Sequence, residues 1–119
     1  MAELNGPRLD GAVVGRDDPR YDTLRRGFNL RWVGAPRWIV LPSSGEDVRA
    51  AVDYAVSHGL RPTVRSGGHC YEDFAVANEG GLLVDMAAMN RIYRDPTRGG
   101  AFCVEAGASQ WNMIWNLYK

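Results

Sequence analysis

The chain has 119 residues, 45% of them hydrophobic, which suits one small domain able to bury a core. Its 14 basic residues are balanced by 14 acidic ones and the two signs are interspersed, so it carries no electrostatic footprint for a nucleic acid or a membrane surface. The longest apolar runs, Trp38 to Leu41 and Gly81 to Val84, are too short to span a bilayer and no basic-then-apolar leader opens the sequence, so a soluble, cytoplasmic protein is expected, with Cys70 and Cys103 as free thiols.

Residues 1–11 carry Gly6-Pro7 and Gly11 with little periodicity and lead to a short strand at Ala12-Val13-Val14. Asp18-Pro19 has the chemistry of a helix start, because aspartate accepts from the first free N–H groups and proline lacks a donor that would go unpaired there. Tyr21, Leu24 and Phe28 follow at helical spacing, and Asn29 to Pro36 is irregular. The run Trp38-Ile39-Val40-Leu41, bounded by Pro36 and Pro42, predicts a buried strand. Ser44 with Asp47 three residues on resembles a capping box, and Val48, Ala51, Val52, Ala55 and Val56 predict one apolar helix face that ends at Gly59.

Arg61 to Arg65 predicts a strand running straight into Ser66-Gly67-Gly68-His69-Cys70-Tyr71-Glu72-Asp73-Phe74, so strand, helix, strand and glycine turn make a βαβ-like unit. Paired glycines tolerate positive φ and let backbone N–H groups approach an anion; a phosphorylated cofactor is the expected ligand. Gly80-Gly81 opens a strand at Leu82-Leu83-Val84-Asp85, and Met86 to Asn90 turns the chain. Arg91 to Asp95 and Ala101 to Ala106 form a predicted hairpin around Pro96-Thr97-Arg98-Gly99-Gly100. Ser109 is placed to cap a last helix whose Trp111, Ile114, Trp115 and Tyr118 make an aromatic stripe. The pattern is α+β without internal repeats. With no obvious partner for that stripe within the chain, poor autonomous stability is expected.

Taken in order, Trp38-Ile39-Val40-Leu41-Pro42, Asp47-Val48 opening a helix, Arg65-Ser66-Gly67-Gly68-His69 after a strand, Val84-Asp85, Met89-Asn90 and Val104-Glu105-Ala106-Gly107 resemble the first half of the PCMH-type flavin-binding domain of FAD-linked oxidases. Within that family the pattern is most similar to the berberine bridge enzyme-like group and its bacterial sugar and antibiotic-tailoring oxidases. The resemblance implies an N-terminal lead-in and helix over residues 1–31 and a partial FAD-binding domain over residues 32–119, truncated at its C-terminus. It implies FAD as cofactor, with Ser66, Gly67, Gly68, His69 and Cys70 lining it and His69 as the covalent attachment residue. A neutral imidazole nitrogen is a nucleophile suited to that bond. Arg65 and Tyr71 join the candidate cofactor-binding residues with two readings each. Arg65 supports the loop or pyrophosphate with its charge, or is a strand-end residue in an ion pair with a neighbour such as Glu72 or Asp73; Tyr71 stacks on the cofactor or covers the loop.

The resemblance implies an oxidase that takes a hydride from a sugar or alcohol-bearing natural product and passes the electrons to oxygen. The residues that choose the substrate and remove its proton would lie in a later segment, as would the cysteine of doubly linked relatives, so that role falls to neither Cys70 nor Cys103. Two alternatives stand beside it: a catalytically inactive truncated fragment, completed or not by a separately encoded C-terminal half, and a reductase-type domain that holds FAD without a covalent bond. The two histidines and two cysteines lack zinc-ligand spacing, and the loop lacks the lysine and hydroxyl residue of a P-loop. Trp32, Trp38, Trp111 and Trp115 are expected in the core, Cys103 as a small buried residue, and His58 at a helix end where its charge is favourable.

Overall fold

Strand β1 (Ala12–Gly15) leads into a one-turn helix, α1 (Tyr21–Leu24), and then come β2 (Trp38–Leu41), α2 (Gly45–Ser57), β3 (Pro62–Arg65) and β4 (Leu82–Asp85). The computed structural model describes residues 5–118, and in it these four strands form one mixed sheet in the order β1-β2-β4-β3. β1 runs antiparallel to β2, whereas β4 lies parallel to both β2 and β3. The expected β2-α2-β3 unit is therefore present, with β4 inserted between its strands. β1 belongs to the residue 1–31 span and pairs with β2 beyond residue 32, so one sheet crosses that boundary.

Side chains alternate across a strand, and the sheet uses both faces. Val40, Leu82 and Val84 meet Ala51 and Ala55 of α2. Ile39, Leu83 and Val14 meet Tyr21 on the other face, where the Tyr21 hydroxyl donates to the Pro36 carbonyl at 2.6 Å. β4 is covered on both sides, which is why its sequence is a continuous apolar run closed by Asp85 rather than an alternation. β3 is an edge strand, so Pro62, which has no N–H to give a ladder, is tolerated there. A second, two-stranded sheet of β5 (Ile92–Asp95) and β6 (Ala101–Val104) follows as the predicted antiparallel hairpin, and then α3 (Gln110–Leu117), capped by Ser109, whose hydroxyl accepts from the Asn112 N–H. Among the described residues no helix is long and apolar enough to cross a membrane.

Three expectations are corrected. The helix announced by Asp18-Pro19 is one turn long and begins at Tyr21, because the Asp18 carboxylate turns back onto the Arg20 N–H and guanidinium; the chain then leaves helical geometry and the Phe28 N–H bonds to the Gly68 carbonyl. On α2 the buried stripe is Asp47, Ala51 and Ala55, while Val52 and Val56 point to solvent, because the sheet covers a narrower band than the valines imply. Trp111 and Trp115 are 71% and 59% exposed, stacked on one another along α3 rather than inserted in the core.

The start of α2 is only half a capping box. Ser44 accepts from the Asp47 N–H at 3.2 Å, but the Asp47 carboxylate is turned elsewhere. It accepts from the N–H groups of Asp10, Gly11 and Ser43 and from the Ser43 hydroxyl, at 2.8 to 3.0 Å, and so bolts the N-terminal segment to the helix. These bonds, the Ser43 N–H first, outweigh the cost of burial and hold its pKa down at about 2 against 3.8 for a free carboxyl. Asp47→Ala removes the shared acceptor of these four part-buried bonds, and urea unfolding at pH 7 should show a loss of about 2 kcal/mol. Because the folded pKa lies below the unfolded one, the contribution is complete above pH 3.8 and disappears as the pH falls toward 2. The difference between wild type and Asp47→Ala should shrink across that interval.

Candidate functional site

The glycine turn leaves the C-terminal end of β3, where Arg65 stands in register with Asp85 of β4. Alternation puts both side chains on a buried face, and they form an ion pair at 2.6 Å with side-chain exposures of 7% and 8%. Of the two readings open for Arg65 this is the ion pair, made with the residue opposite it in the ladder and not with Glu72 or Asp73 beyond the turn. The guanidinium also donates to the carbonyls of Leu24 and Arg26, the latter at 2.9 Å. Asp85 uses its second oxygen to take the Ala87 N–H at 3.0 Å and so caps the 3-10 turn Met86–Ala88. One buried pair thus fastens the N-terminal segment, two strand ends and the turn after β4.

Above this pair, Gly68 has φ +72°, a left-handed conformation that disfavours a side chain. A Cβ on Gly67 would come within 2.7 Å of the His69 ring, so its absence lets the imidazole lie back over the loop backbone. Among the described residues the N–H groups of Gly67, Gly68 and His69 meet no acceptor, and the exposed His69 imidazole has no hydrogen-bond partner. The Phe28 ring lies 6.1 Å from it, tilted by 34°. The Ser66 hydroxyl donates to the Ala106 carbonyl and joins the turn to the segment before α3. Cys70 is half-buried beside Phe74 and Ala75, and Tyr71 is exposed, its ring 6.2 Å from that of Phe28 at an interplanar angle of 63°.

Between the turn and α3 lies a cavity of about 690 Å³, with Ser66, Gly67 and His69 on one side and Ala87, Gly107, Ala108, Ser109 and Gln110 on the other. Such a volume is ordinary for a site that takes a small molecule or cofactor. The second wall was not among the sequence candidates. Its signal was Gly107-Ala108 just ahead of a capping serine: a Cβ at Gly107 would overlap the Met86 carbonyl, and Ser109 opens the positive end of a helix.

The remaining chemistry-bearing residues stand elsewhere. Cys103 is half-buried on the hairpin, its Sγ 3.8 Å from Asp95, and faces Tyr93 across the ladder. His58 closes α2 and stacks on Tyr54 at 4.0 Å. Among the described residues no cluster of His, Cys, Asp and Glu could hold a metal ion. A depression of about 510 Å³ at the opposite, N-terminal end of β2 and β4 is lined by Gly15, Arg16, Arg37, Trp38 and Gly80. The glycine turn and its cavity instead sit at the carboxyl ends of parallel strands, where open α/β sheets take their ligands.

Removing one partner of the buried pair strands the other charge. Arg65→Met should therefore cost about 3–5 kcal/mol in chemical denaturation, and adding Asp85→Leu to it should restore most of the loss.

Over residues 36–117 the chain matches the model of a family described as FAD binding domain. It is 38% identical over 114 residues to the aclacinomycin-N/aclacinomycin-A oxidase of Streptomyces galilaeus, an alignment that takes in 95% of this chain and 21% of that protein. Among solved structures it superposes on CrmK, a flavoenzyme of caerulomycin biosynthesis, with a TM-score of 0.87 at 43% identity, over 93% of this chain and 22% of that one. It also superposes on the glucooligosaccharide oxidase of Acremonium strictum, a protein described with a 6-S-cysteinyl, 8α-N1-histidyl FAD, with a TM-score of 0.80 at 27% identity, over 91% and 22% of the two chains. The chain thus spans about a fifth of the length of these relatives. It belongs to the FAD binding domain family, and FAD is that family's cofactor.

Proposed function

We propose that this member of the FAD binding domain family forms one side of a flavin site, in which the turn from Ser66 to Cys70 holds the FAD pyrophosphate and His69 anchors the flavin covalently. The observation that carries the reading is the set of open N–H groups on Gly67, Gly68 and His69, in a turn where two missing side chains leave the backbone accessible beside a 690 Å³ cavity. A dinucleotide's phosphates need such a cradle, and the start of α3 adds a favourable dipole across the cavity. When bound, FAD would supply two-electron redox chemistry, with a substrate C–H bond as the hydride donor and oxygen, released as hydrogen peroxide, as the final acceptor.

The chain's own residues have separate parts in this site. Ser66, Gly67 and Gly68 shape the cradle, Ser66 by holding it to Ala106. His69 is exposed with neither ring nitrogen engaged, so one of them is free to bond to a methyl carbon of the flavin; a C–H bond of that carbon would be the one broken, its proton lost to solvent and its electron pair taken by the flavin ring and passed on to oxygen. Arg65 supports the turn from below; its charge is already matched by Asp85, which favours that supporting role over a direct grip on pyrophosphate. Cys70 and Tyr71 border the cradle. The names of the relatives, oxidases of an aclacinomycin and of glucooligosaccharides, support an oxidase acting on a sugar or alcohol-bearing natural product in the whole protein. The residues that select the substrate and the one that removes its proton would then be provided beyond this segment, by the rest of the same protein or by a separate chain.

Acid-denatured protein should keep flavin on the peptide that contains His69, read by mass spectrometry, and His69→Ala should bind FAD reversibly and keep none. Flavin that leaves the wild type completely on denaturation would overturn the covalent anchor in favour of a non-covalent site; absence of FAD binding would overturn both. Gly68→Ala, which forces a side chain into a left-handed conformation, should weaken FAD binding about tenfold in a flavin-fluorescence titration.

A further inference from the structure

Residues 24–29 precede the span that matches the FAD binding domain family. Their carbonyls and amides nevertheless go to the glycine turn. Leu24 and Arg26 accept from Arg65, Phe28 donates its N–H to the Gly68 carbonyl at 2.7 Å, and Asn29 donates through Nδ2 to the Tyr71 carbonyl at 2.7 Å. The Gly68 carbonyl and the His69 N–H belong to one planar peptide unit, and in a trans peptide they point in opposite directions. A bond that fixes the carbonyl toward Phe28 therefore aims the His69 N–H away from it. The Phe28 ring, 66% exposed, is held beside the His69 imidazole and steeply inclined to the Tyr71 ring, while the missing Cβ of Gly67 leaves the imidazole room.

We propose that residues 24–29 are a strap that presets the glycine turn: the Phe28 N–H aims the Gly68-His69 peptide toward the ligand, and the Phe28 ring sets the direction of the His69 side chain. Phe28 is a positioning residue, acting through His69. The inference rests on the flavin reading for the identity of the ligand and on this chain's own contacts for the geometry. It also accounts for the early end of α1, since a longer helix would direct the Phe28 N–H to its own preceding turn instead of to the loop.

The test uses nuclear magnetic resonance on the full chain together with FAD titration. Phe28→Leu keeps the backbone donor and removes the ring; it should shift the His69 ring signals, and Phe28→Tyr should restore them. Phe28→Pro removes the donor; it should move the His69 amide signal and weaken FAD binding about tenfold, the worth of one such hydrogen bond, while the signals of Val14, Ile39 and Leu83 stay in place. Should the proline variant not fold, Asn29→Ala carries the amide readout, and its release of the Tyr71 carbonyl should shift the signals of residues 69–71. His69 ring signals unmoved by Phe28→Leu, or a His69 amide unmoved by both Phe28→Pro and Asn29→Ala, would overturn the strap. Failure of the wild type to bind FAD would instead overturn the flavin reading, leaving the strap to be judged on the His69 signals alone.

Discussion

The ion pair between Arg65 and Asp85 is the constraint on which the rest of the site depends. It joins the last residues of two neighbouring parallel strands at the point where one of them gives way to the glycine turn. Taking both charges out of water is costly, and an apolar pair of the same size would serve stability as well. An apolar pair could not collect the Leu24 and Arg26 carbonyls and the Ala87 N–H at the same place. The pair therefore acts as a junction, setting the height of the turn relative to the N-terminal segment on one side and to the turn after β4 on the other.

The architecture follows the same division of labour. The core is concentrated around β2, β4 and α2, with Tyr21 closing the second face, and Asp47 bolts the N-terminal segment onto the start of α2. That core supplies a rigid edge at the carboxyl ends of the strands. The glycine turn, with few internal contacts of its own, is held there by neighbours: Arg65 below, residues 24–29 alongside, and Ala106 through Ser66. The exposed aromatic face of α3, with Trp111 and Tyr118, lies outside this frame and contributes little to it.

What could be read in the sequence was what is decided locally. The strand runs, the serines that cap α2 and α3, the glycine that closes α2 and the left-handed Gly68 are each set by a residue and its immediate neighbours, and the structure places them as their chemistry implies. Long-range pairing was not legible. Nothing in the run Leu82 to Asp85 says that it inserts between two strands already joined by a helix, and without that insertion Asp85 could not be recognised as the partner of Arg65. The same gap explains Phe28, whose helical spacing from Tyr21 and Leu24 competed with a hydrogen bond to a loop forty residues away, and lost. It explains the second wall of the cavity as well, since Gly107 to Gln110 meet the turn only after the hairpin has brought them back.

The most direct measurement is an amide chemical-shift map of the chain as FAD is added. A flavin site at the glycine turn requires the largest changes at Gly67, Gly68 and His69 and at Ala108 to Gln110 across the cavity, with Arg16, Arg37 and Gly80 at the opposite end of the sheet unmoved. Changes centred on that opposite end, or no saturable change at the turn, would contradict it.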